Sequence, residues 1–226
     1  MKDEIADAFG EMMDSFCKFA FFPKMIMLFL NELAGGTVAV EDAVVSPVDR
    51  QKYIERIPDF LKPLASVGNR MAKIARLRSR AIKRNDGKEI DLDKINAARK
   101  KMRCEFWDIL RELRFNVDTM LKFIDNADKR IYKPFMALNL KITCELRKSP
   151  SSKRSGDLDK MQKGIADIVR FSGMEAKEFE EEFDALLTNA KSLQAALGYS
   201  EPCYYMSASE LFNDTADVVK QKGETK

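Results

Sequence analysis

The chain has 226 residues, 45% of them hydrophobic and 33% charged, with ten glycines, seven prolines and a net charge of +3. That apolar content supports a packed core and argues against disorder, and a chain of this length hides roughly 70 to 75% of its unfolded surface on folding. It contains no histidine, which removes the commonest general base, the histidine-dependent nucleophile pairs, and the usual zinc and iron ligand.

Cys17, Cys104, Cys144 and Cys203 are widely spaced and form no CxxC pair. Free thiols in a reducing, intracellular and most simply cytoplasmic compartment are therefore expected. The first fourteen residues are acidic where a secretory signal would be basic. The longest apolar run, Phe16 to Leu30, is interrupted by Lys18, Pro23 and Lys24; it falls short of the roughly 20 apolar residues that cross a bilayer, so no transmembrane segment is expected.

Apolar residues recur at three- and four-residue spacing along most of the chain, which is helical periodicity. A first helix is predicted from Asp3 to Leu33, bent at Pro23, which lacks an amide donor. Ala34 to Pro47 is a connection in which Gly35 and Gly36 end the helix and Thr37 to Val40 suits a short extended piece. A second helix is predicted over Val48 to Arg84, bent or broken at Pro58 and Pro63. Asn85, Asp86 and Gly87 then make a turn, and Asp91 or Asp93 caps the next helix.

The third predicted helix runs from Leu92 to Asn126, about 50 Å at 1.5 Å per residue, with Met102, Phe106, Leu113, Met120 and Ile124 on its apolar face. Lys129 to Lys148, containing Pro134, either continues it with a kink or packs back. Ser149 to Gly156 has the composition of an exposed loop. Three more helices are expected at Asp157 to Phe171, Glu175 to Leu197 and Ala208 to Lys222. Ser172 with Glu175 and Ser207 with Glu210 fit a reciprocal capping pattern, and Gly198 closes the middle helix.

The near-neutral total conceals a partition. Residues 1–49 carry three Lys/Arg against nine Asp/Glu, residues 50–103 seventeen against six, residues 104–156 eleven against seven, and residues 157–226 eight against fourteen. Cationic density peaks in Arg70 to Arg84. At about 100° per residue, Arg70, Lys73, Arg76, Arg80, Lys83 and Arg84 form a ridge opposite Val67, Met71, Ile74 and Ile82. Arg78 alone projects from the apolar side, where an unpaired guanidinium is too costly, so a structural ion pair is expected for it.

Three readings compete for the ridge: a solvated face partly neutralised by the acidic stretch Glu178 to Asp184, a surface for nucleic-acid phosphates, and a surface for anionic membranes. Base-stacking aromatics are missing from the stretch, which disfavours sequence-specific single-strand recognition. The first helix is apolar nearly all round, as central bundle helices are. The alternative is an interface for a partner or a second copy, with Phe19, Phe22, Met25, Ile26 and Phe29 as its candidates.

Catalytic and metal signals are weak. Gly35, Gly36 and Gly87 lack the spacing of a phosphate-cradling loop. Glu180, Glu181 and Glu182 fan around a helix and converge on nothing, which fits a solvated face. Cys104 adjoins the basic Arg99 to Arg103 cluster but has no base partner. Tyr204 and Tyr205 suit a loop pinned to the bundle.

The expected fold is all-α, an antiparallel helical bundle of long, kinked helices with a C-terminal helical appendage, about three-quarters helical against a base rate of one-third. Residues 1–148 form the main body, 149–156 a linker or hinge, and 157–226 an acidic helical region able to mask the basic middle. The expected function is non-enzymatic, with no cofactor or metal: an interaction, regulatory or scaffold protein that pairs with a protein partner or with itself as a homo-oligomer. Nucleic-acid association through the ridge is the first alternative and peripheral membrane association the second.

Overall fold

A computed structural model describes residues 2–46, 48–83, 92–148, 156–172 and 174–198. Of these, 87% are helical and none forms a strand, so the all-α class holds. The helices are α1 (Lys2–Phe16), α2 (Phe22–Ala34), the short α3 (Val40–Ala43), α4 (Arg50–Lys83), α5 (Leu92–Leu113), α6 (Val117–Ala127), α7 (Lys133–Lys148), α8 (Gly156–Ser172) and α9 (Ala176–Ala196). A π-turn, Asp128–Tyr132, joins α6 to α7.

Two predicted helices are each divided. The first separates into α1 and α2 around Cys17–Phe21, and Pro23 sits within the opening turn of α2. A proline costs nothing there, because its missing amide has no intrahelical acceptor. The third helix breaks after Leu113. Arg114 adopts a left-handed φ of 52°, Phe115 makes an isolated antiparallel bridge with Val44, and Asn116 caps α6 by accepting from the Thr119 amide at 2.9 Å.

Tertiary contact holds that break open. The Val45 amide donates to Arg114 O (2.8 Å) and the Asn116 amide to Ala43 O (3.0 Å), while Asn116 Nδ2 donates to Asp42 O (2.8 Å). These bonds satisfy backbone groups at two loose ends together and offset the roughly 1 kcal/mol of a non-glycine residue in the left-handed region. The extended piece expected at Thr37 to Val40 is thereby displaced to Val44, since Val40 opens α3.

Other expectations fare differently. Helix α4 continues without a break through Pro58 and Pro63, held by the burial of Ile57, Phe60, Leu64 and Val67; packing of one apolar face outweighs the lost amide bonds. The π-turn widens the backbone just before Pro134, so α6 passes into α7. Gly36 (φ 73°) and Gly198 (φ 72°) end α2 and α9 as anticipated. Ser172 does not cap α9: its hydroxyl donates to Val169 O at 2.7 Å and accepts from the Met174 amide at 3.3 Å, finishing α8 instead, and Glu175 stands at the N-cap without a side-chain bond. Asp93 lies in the first turn of α5. The Asn85–Gly87 turn, Asp91, the 149–155 loop, Cys203, Tyr204, Tyr205 and the 208–222 helix lie outside the described residues.

One core runs through the chain. Its centre is aromatic: Phe16 stacks on Phe22 with centroids 3.7 Å apart, Phe19 meets Phe183 edge-on at 5.4 Å, and Phe183 stacks on Tyr132 at 4.5 Å. Helix α9 lies along α1, where Lys18 Nζ approaches Glu182 Oε2 at 2.5 Å and Asn189 Nδ2 donates to Ser15 Oγ at 3.0 Å. The C-terminal helices α8 and α9 therefore contribute to the same hydrophobic cluster as α1, α2 and α4. Cys17, Cys104 and Cys144 are free thiols. Among the described residues no helix is long and apolar enough to cross a membrane.

Candidate helix-binding groove

Helix α4 has three distinct sides. One is buried through Leu64, Val67, Met71 and Ala75. Arg78 projects from the middle of that side and is bonded to Glu178 of α9, so the expected ion pair is formed. Arg99 of α5 approaches the other oxygen of Glu178 at 3.4 Å. Burial first, and the neighbouring Arg78 charge second, push the Arg99 guanidinium below its ordinary value.

The second side is the cationic ridge. Arg70 leaves it: its guanidinium clamps Glu105 of α5 at 2.6 and 3.3 Å. Lys73, Arg76 and Arg80 are exposed, and they form no ion pair among the described residues. Lys83 ends α4 with its side chain outside the described residues, as is all of Arg84. Among the described residues, the acidic partners that α9 supplies to cations of other elements are Glu178 and Glu182. They pair with Arg78, Arg99 and Lys18 and, among the described residues, not with Lys73, Arg76 or Arg80. Glu180 and Glu182 are half-buried rather than part of a solvated face; burial, then the nearby Asp184, raises the Glu180 carboxyl above its usual value.

The third side, between the other two, carries small residues. Ala65, Gly68 and Ala72 leave room beside α2 and α8, producing a groove of about 790 Å³. Gly68 allows the close approach of α2: a Cβ there would stand 3.1 Å from Pro23 Cβ, so α2 would have to give by a few tenths of an ångström. Buried Pro23 and Leu64 form the floor, and Met27, Ile131 and Ile168 the walls. Around the rim stand exposed Lys24 from α2, Arg76 from α4 and Arg130 from the π-turn, with Asp167 of α8 as the one acid among the lining residues. Leu28, one turn beyond Lys24, is 58% exposed.

The interface candidates occupy different positions. Phe19, Phe22 and Ile26 are fully enclosed by the chain's own core, while Met25 and Phe29 are half-buried against it. Phe29 packs edge-on to Phe123 at 5.2 Å. Of the apolar first segment, Phe19, Phe22 and Ile26 are therefore interior, while Met25 and Phe29 keep part of their surface open and Leu28 is exposed. The groove itself was not foreseen from the sequence. Its one visible signal was the small-residue spacing Ala65, Gly68, Ala72, which helical periodicity alone does not distinguish from solvent-facing filler.

A polar cluster lies on the opposite flank of α9. Tyr132 Oη donates to Asp184 Oδ1 at 2.5 Å, and burial, reinforced by that bond, pushes the phenol above its usual range. Buried Asp128 is met by Lys133 Nζ at 2.9 Å. Tyr132 pairs with Asp184 and Asp128 with Lys133, Asp128 Oδ2 accepting no hydrogen bond of good geometry, and none of the four lines the groove. Among the described residues no group of three or more potential metal ligands occurs.

Comparison with protein-family models, curated proteins and solved structures finds no match to this chain.

Proposed function

We propose that this chain is a non-enzymatic interaction protein that receives an amphipathic helix from a protein partner in the groove between α2, α4 and α8. The observation carrying this reading is the groove itself, an apolar trough rimmed by three cations from three separate elements. Helix-in-groove recognition uses such a trough, with apolar anchors at helical spacing. Along α4 it extends from Leu64 to Arg76, about 18 Å at 1.5 Å per residue, enough for three helical turns. The rim selects a helix whose polar flank is acidic. Self-association through Phe19, Phe22 and Ile26 forms no part of this reading, because those side chains are interior.

Affinity capture from the native cell with nuclease treatment, run in parallel on the wild-type chain and on Ala72→Glu, tests it. Ala72 is only half-buried, so the new carboxylate can remain hydrated while it spoils the apolar wall. Partner proteins that survive nuclease and fall at least about tenfold in yield with Ala72→Glu, a change of about 1.4 kcal/mol, are the expected result. The same proteins retained by both chains would remove the groove from the function.

A second reading rests on Lys73, Arg76 and Arg80, which share one exposed face without carboxylate partners among the described residues. Three neutralised phosphates would give a binding constant that falls about 40-fold between about 50 and about 200 mM salt, against the 10³- to 10⁵-fold of a protein making six to ten contacts. That modest term is why the groove takes precedence. Changing Lys73, Arg76, Arg80 and Lys83 to Glu should abolish retention on DNA or RNA while leaving helicity intact; unchanged retention disposes of the reading.

A further inference from the structure

We propose that a second recess, between α1, α5 and α6, is a binding site for a small organic anion with a carboxylate or phosphate head and an apolar body. It shares no lining residue with the groove and does not depend on the reading of the groove.

Size and walls define the body. Met13, Leu110, Phe115 and Met120 are buried and form the floor, while half-buried Phe9 and Trp107 stand at the side. The recess has a volume of about 260 Å³. Protein interiors hold few voids larger than a water molecule, so a space of this size lined by six apolar side chains is room for a guest rather than a packing fault. An apolar cavity of about 150 Å³ takes benzene, and in proportion this one takes roughly ten carbon atoms.

Two cations define the head. Arg111 and Arg114 complete the lining, both exposed and so at the mouth, and no carboxylate is among the lining residues. Arg111 lies 4.0 Å from Asp108 Oδ1, an exposed contact worth little, and Arg114 forms no ion pair among the described residues. A guanidinium presents a fork of donors that matches a carboxylate or a phosphate. Arg111 alone would be explained by its place in the last turn of α5, where a cation suits the helix dipole. Arg114 is not explained that way. Its φ of 52° is one that glycine adopts freely, and the chain does place glycines, Gly36 and Gly198, at the left-handed ends of α2 and α9. The end of α5 keeps an arginine instead, at a cost in backbone strain. Bonds from the Val45 amide to Arg114 O and from the Asn116 amide to Ala43 O fix the backbone that carries this guanidinium. The strain is retained where a preorganised cation borders an apolar recess, and anion capture is the gain that accounts for it.

The test uses full-length protein and two radiolabelled probes, decanoate and decyl phosphate, each below its micellar concentration. Equilibrium dialysis measures binding, and emission from Trp107, the single tryptophan, reports occupancy of the recess. Saturable binding of at least one anion, with a shift in Trp107 emission, is the expected result, the tighter of the two naming the head group. It should exceed the affinity for decanol, an uncharged body of equal length, by about tenfold or more, the scale of one charge-assisted hydrogen bond. Arg114→Gly should weaken anion binding about tenfold or more without lowering the melting temperature, because glycine relieves the left-handed backbone. Arg114→Gln keeps the strain, drops the charge and should weaken binding equally. No saturable binding of either anion, an affinity no greater than that for decanol, or full affinity in both Arg114 variants would overturn the proposal. So would binding abolished by Ala72→Glu, which would put the anion in the groove.

Discussion

Replacing Phe183 with alanine is expected to lower unfolding stability by about 3 to 5 kcal/mol, the range for deleting a fully enclosed aromatic ring. Phe183 has no exposure and touches three rings: Tyr132 stacked at 4.5 Å, Phe19 edge-on at 5.4 Å and Phe179 at 5.8 Å. Edge-on and offset stacking add about 0.5 to 1.5 kcal/mol beyond area burial, so Phe19→Ala combined with Phe183→Ala should cost less than the sum of the single changes. A chain with a total stability of about 5 to 15 kcal/mol is strongly affected by such a loss.

The same substitution tests how the C-terminal helices relate to the rest. Trp107, the single tryptophan, lies on α5 beside Phe9 of α1 with centroids 6.5 Å apart, and it makes no ring contact with α9. In urea, Trp107 fluorescence and far-ultraviolet circular dichroism should move together to lower midpoints, because one core connects both reporters. A Trp107 transition left in place by Phe183→Ala would show that α8 and α9 unfold as a separate unit.

Glu178→Ala is expected to cost about 3 kcal/mol, at the lower end for stripping the partner from a buried ion pair. The magnitude comes from the two guanidiniums left behind. Arg78 and Arg99 have side chains only 19% and 26% exposed, and both lose the carboxylate that faces them. Arg78→Met in the Glu178→Ala background should restore part of the stability, because a thioether stem suits the apolar side of α4 that Arg78 interrupts. If the two substitutions instead prove additive in denaturant unfolding, the coupling between Arg78 and Glu178 is absent and the ion pair is ornamental.

Arg78 also shows how much of the charge pattern was legible. Helical phase placed one guanidinium on an apolar face, and burial energetics required a partner, both without coordinates. Which carboxylate would serve was not legible, because Glu178 is a hundred residues away and reaches Arg78 only once α9 lies against the core. The ridge shows the converse. Arg70 looked equivalent to Lys73 and Arg76 by phase, but its flank faces α5 and Glu105 takes it. Arg76 faces the opposite flank and becomes part of a groove rim that also needs Lys24 and Arg130.

Helix existence was readable because a 3.6-residue apolar period extends over many turns and averages out local exceptions. Helix ends were readable where one residue type answers a backbone need, as at Gly36 and Gly198. The break at Arg114 to Asn116 was not read, although Asn116 followed by Asp118 carries an N-cap signal. The apolar face continues in phase across it, and the bonds that hold it open come from α3, some seventy residues earlier.

From its composition and periodicity alone, this protein is determined to be all-α, with an apolar first segment, a cationic middle and a guanidinium that demands a partner. These are properties of local spacing and of the cost of burying charge, and they need no neighbours. The tertiary structure decided where the apolar surplus goes, which cations remain open and that a groove exists at all. The groove is the space between three elements, set by how closely Gly68 lets α2 approach α4 and by where α8 comes to rest. A void of that kind has no residue of its own and so leaves no periodic mark in the chain.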